Sequence, residues 1–153
     1  SSSLRCNIFN LMFFFLYYID IENLVQTNYS SKLRAYSHKC NHLSEGKSLN
    51  FYCEIIEIHT IAEGSYMITS DSRSDILAFV YENDDFTLFD LNLNAIVSDD
   101  NSHNNKQFRI IFYRKMNTSF ILIVTTNSHR EQAAFSITVH GPNSVSMQRK
   151  SRY

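Results

Sequence analysis

Two acidic pairs carry the most chemical promise in this sequence. Asp71 and Asp75 fall at a turn and at the start of the strand that follows it; Asp99 and Asp100 open the polar loop SDDNSHNNK. Carboxylates and Asn carbonyls gathered at one end of a domain are the oxygen ligands a hard cation such as Ca²⁺ takes. The spacing is not that of an EF-hand, and no Gly stands where such a loop needs one. Asp and Asn also cap their own backbone in turns, and that plainer role is favoured, with calcium as the alternative. His38, Cys40 and His42 form the one tight cluster of zinc-capable side chains. Only Cys53 offers a fourth ligand, and the HxCxH spacing is unlike zinc-finger pairs, so zinc is not expected.

Catalytic chemistry has less support. The sequence has no Gly-x-Ser-x-Gly, no Gly-rich phosphate loop and no Cys/His pair in a recognised setting. Glu54 and Glu57 are paired carboxylates on a strand, but residues three apart on a strand point to opposite faces and form no acid/base pair. No enzyme activity and no cofactor are expected. The aromatic surplus, twelve Phe and nine Tyr, allows a sugar- or protein-binding platform of Tyr36, Tyr52 and Tyr113. Aromatics filling a core are the plainer expectation.

Compartment signals lean outward. Cys40 and Cys53 flank the polar stretch CNHLSEGKSLNFYC, and closing that ring would contribute about 3 kcal/mol by chain entropy. The other possibility is three free thiols, with Cys6 in the apolar N-terminal run. Two N-glycosylation sequons are present, at Asn28-Tyr-Ser and Asn117-Thr-Ser, both expected outside strand interiors. Residues 8–19 (IFNLMFFFLYYI) are too short for a comfortable membrane-spanning helix. The run has the length of a signal-peptide core, with Arg5 before it and no small-x-small cleavage site after it. Signal, anchor, packed helical element and sequence foreign to the protein all stay open for it. A start at Ser-Ser-Ser is expected of a fragment.

The elements that must position these residues are strands. The chain has 153 residues, 44% of them hydrophobic, and a formal charge of −1, which suits one globular domain and argues against non-specific nucleic-acid binding. FYCEIIEIHT (51–60) places Tyr52, Ile56 and Ile58 on one face, and SYMITS (65–70) returns after the Ala62–Gly64 turn as its hairpin partner. DILAFVY (75–81) is apolar on both faces and should be central. The stretch from Glu82 through LFDLNLNAIVS reads as a loop with a short strand near Ile96–Val97. QFRIIFY, SFILIVTT and AAFSITVH follow; in the last, Phe135, Ile137 and Val139 alternate with Ser136, Thr138 and His140. The expectation is an all-β, antiparallel, jelly-roll-like sandwich of six to eight strands over 51–142. A polar lead-in with one edge strand near Tyr29–Tyr36 comes before it, and a disordered or linker tail from Asn143 after it.

The order of motifs from Phe51 to Pro142 resembles a family. Glu54-Ile-Ile-Glu-Ile58, Gly64-Ser-Tyr66, Asp75 opening an apolar strand to Tyr81, and Ser98-Asp-Asp100 come first. Gln107-Phe108, Thr118–Thr126 and Phe135–Pro142 complete the series. Together they resemble the bacterial pre-peptidase C-terminal domain, a secreted β-sandwich seen also as uncharacterised repeats in invertebrate surface proteins. The resemblance spans about 90 residues and rests on motif order. It implies an extracellular accessory domain without catalytic machinery, in a family of which some members bind Ca²⁺ through acidic loops. Here the loop after Asp100 is Asn-Ser-His-Asn-Asn, where relatives are often glycine-rich.

The expected role is therefore a non-catalytic accessory or adhesion-type module of a larger secreted or surface protein, at the cell surface or outside it. Its partner would be a protein or a glycan, not nucleic acid, and it would meet a membrane only through residues 8–19 if they anchor it. A Ca²⁺-dependent carbohydrate- or protein-binding module is the first alternative; an accessory domain of a secreted hydrolase is the second.

Overall fold

The computed structural model describes residues 24–43, 48–100, 103 and 106–151. The apolar run 8–19, with Cys6, lies outside them. The described residues form ten strands in two antiparallel sheets. In chain order they are β1 (Val25–Leu33), β2 (His38–Cys40), β3 (Phe51–Thr60), β4 (Gly64–Ser72) and β5 (Ile76–Tyr81). Then come β6 (Val97–Asp99), β7 (Arg109–Arg114), β8 (Thr118–Thr126), β9 (Ala133–Gly141) and β10 (Val145–Arg149). One sheet runs β1-β9-β4-β7. The other runs β10-β3-β8-β5-β6, with β2 also on β3.

The expected sandwich is present, with more strands than the six to eight predicted. Phe135, Ile137 and Val139 of β9 enter the core between the sheets, facing Ile56, Ile58, Ala78, Val80 and Leu122. β5 is buried on both faces, as its composition requires. Its odd-numbered side chains, Leu77, Phe79 and Tyr81, belong to a second apolar cluster on the far face of the larger sheet, with Cys53, Ile55 and Ile123. Phe86 and Leu91 complete that cluster. The irregular 82–96 segment is thus a packed layer over the sheet, pinned by Asn41 N–H to the Leu88 carbonyl and Leu91 N–H to the Asn41 carbonyl, both 2.8 Å.

Three expectations need correction. β3 and β4 are not a hairpin: β3 pairs β8 and β4 pairs β9 and β7, in opposite sheets. β3 is apolar on both faces and needs a central place in a sheet covered on two sides, whereas β4 alternates and suits a sheet with one wet face. The tail is not a linker. β10 pairs Val145–Arg149 with Thr60–Ile56, and burying Val145 and part of Met147 in the core contributes roughly 2–3 kcal/mol. The lead-in, too, belongs to the sandwich, because β1 pairs along its whole length with β9. The sheets therefore reach beyond 51–142 on both sides.

Candidate binding groove

The site begins with a gap. On one edge of β3, β2 covers Phe51–Cys53 and β10 covers Ile56–Thr60, leaving Glu54 and Ile55 between them. Lys150 crosses the gap: its N–H donates to the Ile55 carbonyl at 2.9 Å, and His38 Nε2–H donates to the Lys150 carbonyl at 3.2 Å. The edge strand of the opposite sheet, β1, runs alongside and is followed by Arg34, where the Ser37 N–H closes a turn on the Arg34 carbonyl at 2.9 Å. These edges enclose a groove of about 700 Å³ lined by Lys32, Arg34, Tyr36, His38, Glu54 and Arg149 among others.

Glu54 forms its floor. It shares the inward row of β3 with Tyr52, Ile56 and Ile58 and is 5% exposed. A buried carboxylate must be paired and hydrogen-bonded. Here Tyr29 O–H donates at 3.0 Å, Ser31 O–H at 2.7 Å and Arg149 Nε at 2.8 Å. Tyr29 and Ser31 reach it because they occupy the inward positions of β1, whose burial alternates with period two. Burial, and then the Glu54 charge, hold the Tyr29 hydroxyl above its ordinary pKa, so it stays a donor. The Arg149 guanidinium is held more firmly charged by its hydrogen bond to Tyr29 and by Glu54.

With Glu54 neutralised, the rim is cationic. Lys150 Nζ turns away to Asp84 at 3.0 Å and Glu57 at 3.5 Å. Lys32 and Arg34 have no carboxylate partner among the described residues. Ser30, Ser31 and Lys32 also line a second groove, of about 730 Å³, which adds Arg73 and Asp71. The two hollows therefore share β1 as a common wall.

Of the predicted acidic set, three of the four residues come together. Asp99 Oδ2 accepts the Arg109 N–H at 2.7 Å, and both Asp100 oxygens accept from Asn127 Nδ2 at 2.9 and 3.0 Å. Burial, then the adjoining Asp75 carboxylate, push the Asp100 carboxyl above its usual range. Asp75 Oδ1 is buried without a hydrogen-bond partner. Asp71 stands apart, on β4 opposite Ser136. Among the described residues no group of three or more His, Cys, Asp or Glu is arranged to hold a metal.

The remaining candidates separate. Cys40 and Cys53 are joined as a disulfide across the β2–β3 pair, with Cα atoms 6.2 Å apart. His38 points to Lys150, and His42 Nε2–H donates to the Thr126 carbonyl at 3.0 Å while its ring packs on Phe51. Asn117 is exposed in the β7–β8 turn with φ of 51°. Asn28 is exposed too, but it lies inside β1, not outside a strand. The tyrosine platform does not form: Tyr52 is buried in the core, whereas Tyr36 flanks the groove and Tyr113 sits on the other edge strand, β7.

Sequence reasoning missed the groove because its members come from positions far apart. One signal was visible: a glutamate in the apolar row Tyr52, Ile56, Ile58 requires a buried partner.

No protein-family model matches the chain, and neither does any curated protein sequence. Solved structures do. The pre-peptidase C-terminal domain of collagenase from Bacillus anthracis superposes with a TM-score of 0.50 at 10% identity, over 75% of this chain and 89% of that one. The fold is similar to a pre-peptidase C-terminal domain. The Yersinia pseudotuberculosis-derived mitogen gives a TM-score of 0.44 at 15% identity, over 75% and 84%. A periplasmic inhibitor of g-type lysozyme from Aeromonas hydrophila gives 0.42 at 13% identity, over 82% and 87%. The likeness to the collagenase domain agrees with the motif order read from Phe51 to Pro142 and concerns architecture alone.

Proposed function

We propose that this chain is a non-catalytic, extracellular binding module of a larger secreted or surface protein. The groove carries this reading. Its one carboxylate is saturated by Tyr29, Ser31 and Arg149, so it builds the floor; a general base must instead be free to take a proton. The surrounding rim offers charges and hydroxyls to a ligand. The Cys40–Cys53 link and an exposed sequon at Asn117 support an oxidising, glycosylating compartment.

Expression of the chain through a eukaryotic secretory pathway tests the compartment. Peptide mapping without reductant is expected to return Cys40 linked to Cys53, and Asn117→Gln to remove one glycan's mass. Recovery of both cysteines as free thiols, with Asn117 bare, would speak against it.

Calcium dependence is the second reading, favoured by the partnerless Asp75 Oδ1 beside Asp100. A cation there would relieve both carboxylates, so added Ca²⁺ is expected to raise the melting temperature of the protein and not of Asp75→Asn. Calorimetry without heat, together with an unchanged melting temperature, would sink this reading.

A further inference from the structure

Resting on the reading of the groove as a binding site, we infer that its ligand is an anionic polysaccharide, with sulfate or carboxylate groups along an extended chain. The overall charge is −1, from 14 basic and 15 acidic residues, yet the carboxylate inside the groove is internally compensated, and Lys32 and Arg34 line the groove with no carboxylate partner among the described residues. A local cationic surplus on a near-neutral protein selects an anion at short range and gives no long-range attraction for polynucleotides. Arg34 presents a planar donor fork suited to oxyanions, and Lys32 a compact point charge.

The shape favours a polymer of sugars over a peptide. A peptide adding as a strand needs free main-chain edge groups. At the gap in β3 those groups are engaged, Ile55 by Lys150 and Lys150 by His38; the open edge that remains is that of β1, and polyglutamate in the test below probes it. What faces the ligand is side-chain charge, the hydroxyls of Ser30 and Ser37, and Tyr36, which is 79% exposed. An exposed aromatic ring beside cations gives the apolar face of a pyranose a surface to lie on. Because Lys32 lines both hollows and the second holds Arg73 beside Asp71, the ligand can continue over β1 beyond one groove, with Lys32 and Arg73 outnumbering the one carboxylate there.

Calorimetry on the full chain tests the inference with a heparin octasaccharide, an uncharged dextran of equal length, polyglutamate and a single-stranded oligonucleotide. Binding of the heparin octasaccharide alone is expected, weakening at least about tenfold between roughly 0.05 and 0.3 M salt. The double variant K32E/R34E should lose at least about tenfold in affinity, and K115E, in the distant β7–β8 turn, none. Lys32 and Arg34 are exposed, so an unchanged melting temperature certifies the fold of the double variant. Tighter binding of polyglutamate or oligonucleotide, lost in K32E/R34E, overturns the polysaccharide while leaving the groove as a site. Binding that ignores K32E/R34E, or no binding of any probe, overturns the proposal and the groove together.

Discussion

Replacing Gly141 by alanine is expected to destabilise the protein by about 3 kcal/mol and to lower its melting temperature by about 10 °C. Gly141 ends β9 beside β4, and the ring of Tyr66 lies across it. A β-carbon at Gly141 would overlap Cδ1 and Cε1 of that ring. The ring has nowhere to go. Tyr66 is 1% exposed, among the largest fully buried side chains, and its hydroxyl is fixed by donation to the Ala62 carbonyl at 2.6 Å. Relief must come from shifting β9 against β4, whose register pairs Met67 with His140 and Ile68 with Val139. Urea denaturation of G141A measures the cost. In a Y66L background the same substitution should cost less than half as much, since the two residues act as one contact. A loss below about 1 kcal/mol for G141A would mean that the sheet yields far more readily than a packed core does.

This glycine also shows what the sequence could and could not convey. The alternation of Phe135, Ile137 and Val139, and the two-sided apolarity of Ile76–Tyr81, specify strands and the faces they bury, because side-chain direction alternates with period two. Gly64, with φ of 147°, marks the junction after 61–63 but does not say that the chain crosses there to the other sheet. The crossing follows from β3 needing two apolar neighbours and β4 only one, a comparison between strands rather than a feature of either. β10 was hidden for a related reason. Val145 and Met147 alternate with Ser146 and Gln148, but the basic residues that follow made the stretch read as a tail. The 82–96 layer has no period because it packs on a sheet face through isolated anchors, Phe86 and Leu91. The groove was the least legible part. Glu54 and Arg149 meet only after β3 and β10 have paired, and local pattern carries no trace of pairing between such distant segments.

Alkaline pH is expected to loosen the fold. Tyr81 is fully buried, and burial, followed by the charges of Asp90 and Asp85, lifts its hydroxyl well above the ordinary 10.0. Burial lifts Tyr66 above the same value. Each therefore stays protonated in the fold at a pH where the unfolded chain has ionised. Above about pH 10 the unfolded state binds fewer protons, so stability falls as pH rises, until the raised pKa is reached. At about pH 11 the loss is about 1.4 kcal/mol for Tyr81, and Tyr66 and Tyr29, both also raised, add to it in the same direction. The variant Y81F separates the causes. The Tyr81 hydroxyl donates to the carbonyl of Leu91, a residue with no exposed surface, so its removal costs about 1–3 kcal/mol at neutral pH. The same removal deletes one titrating group, so the fall in stability between about pH 10 and about pH 11 should shrink by about 1 kcal/mol. Urea denaturation of both proteins across that interval reads the two effects apart. Equal alkaline slopes would show that Tyr81 ionises inside the fold, and with that the 82–96 layer could not be the sealed cover that the packing of its Phe86 on Tyr81 describes.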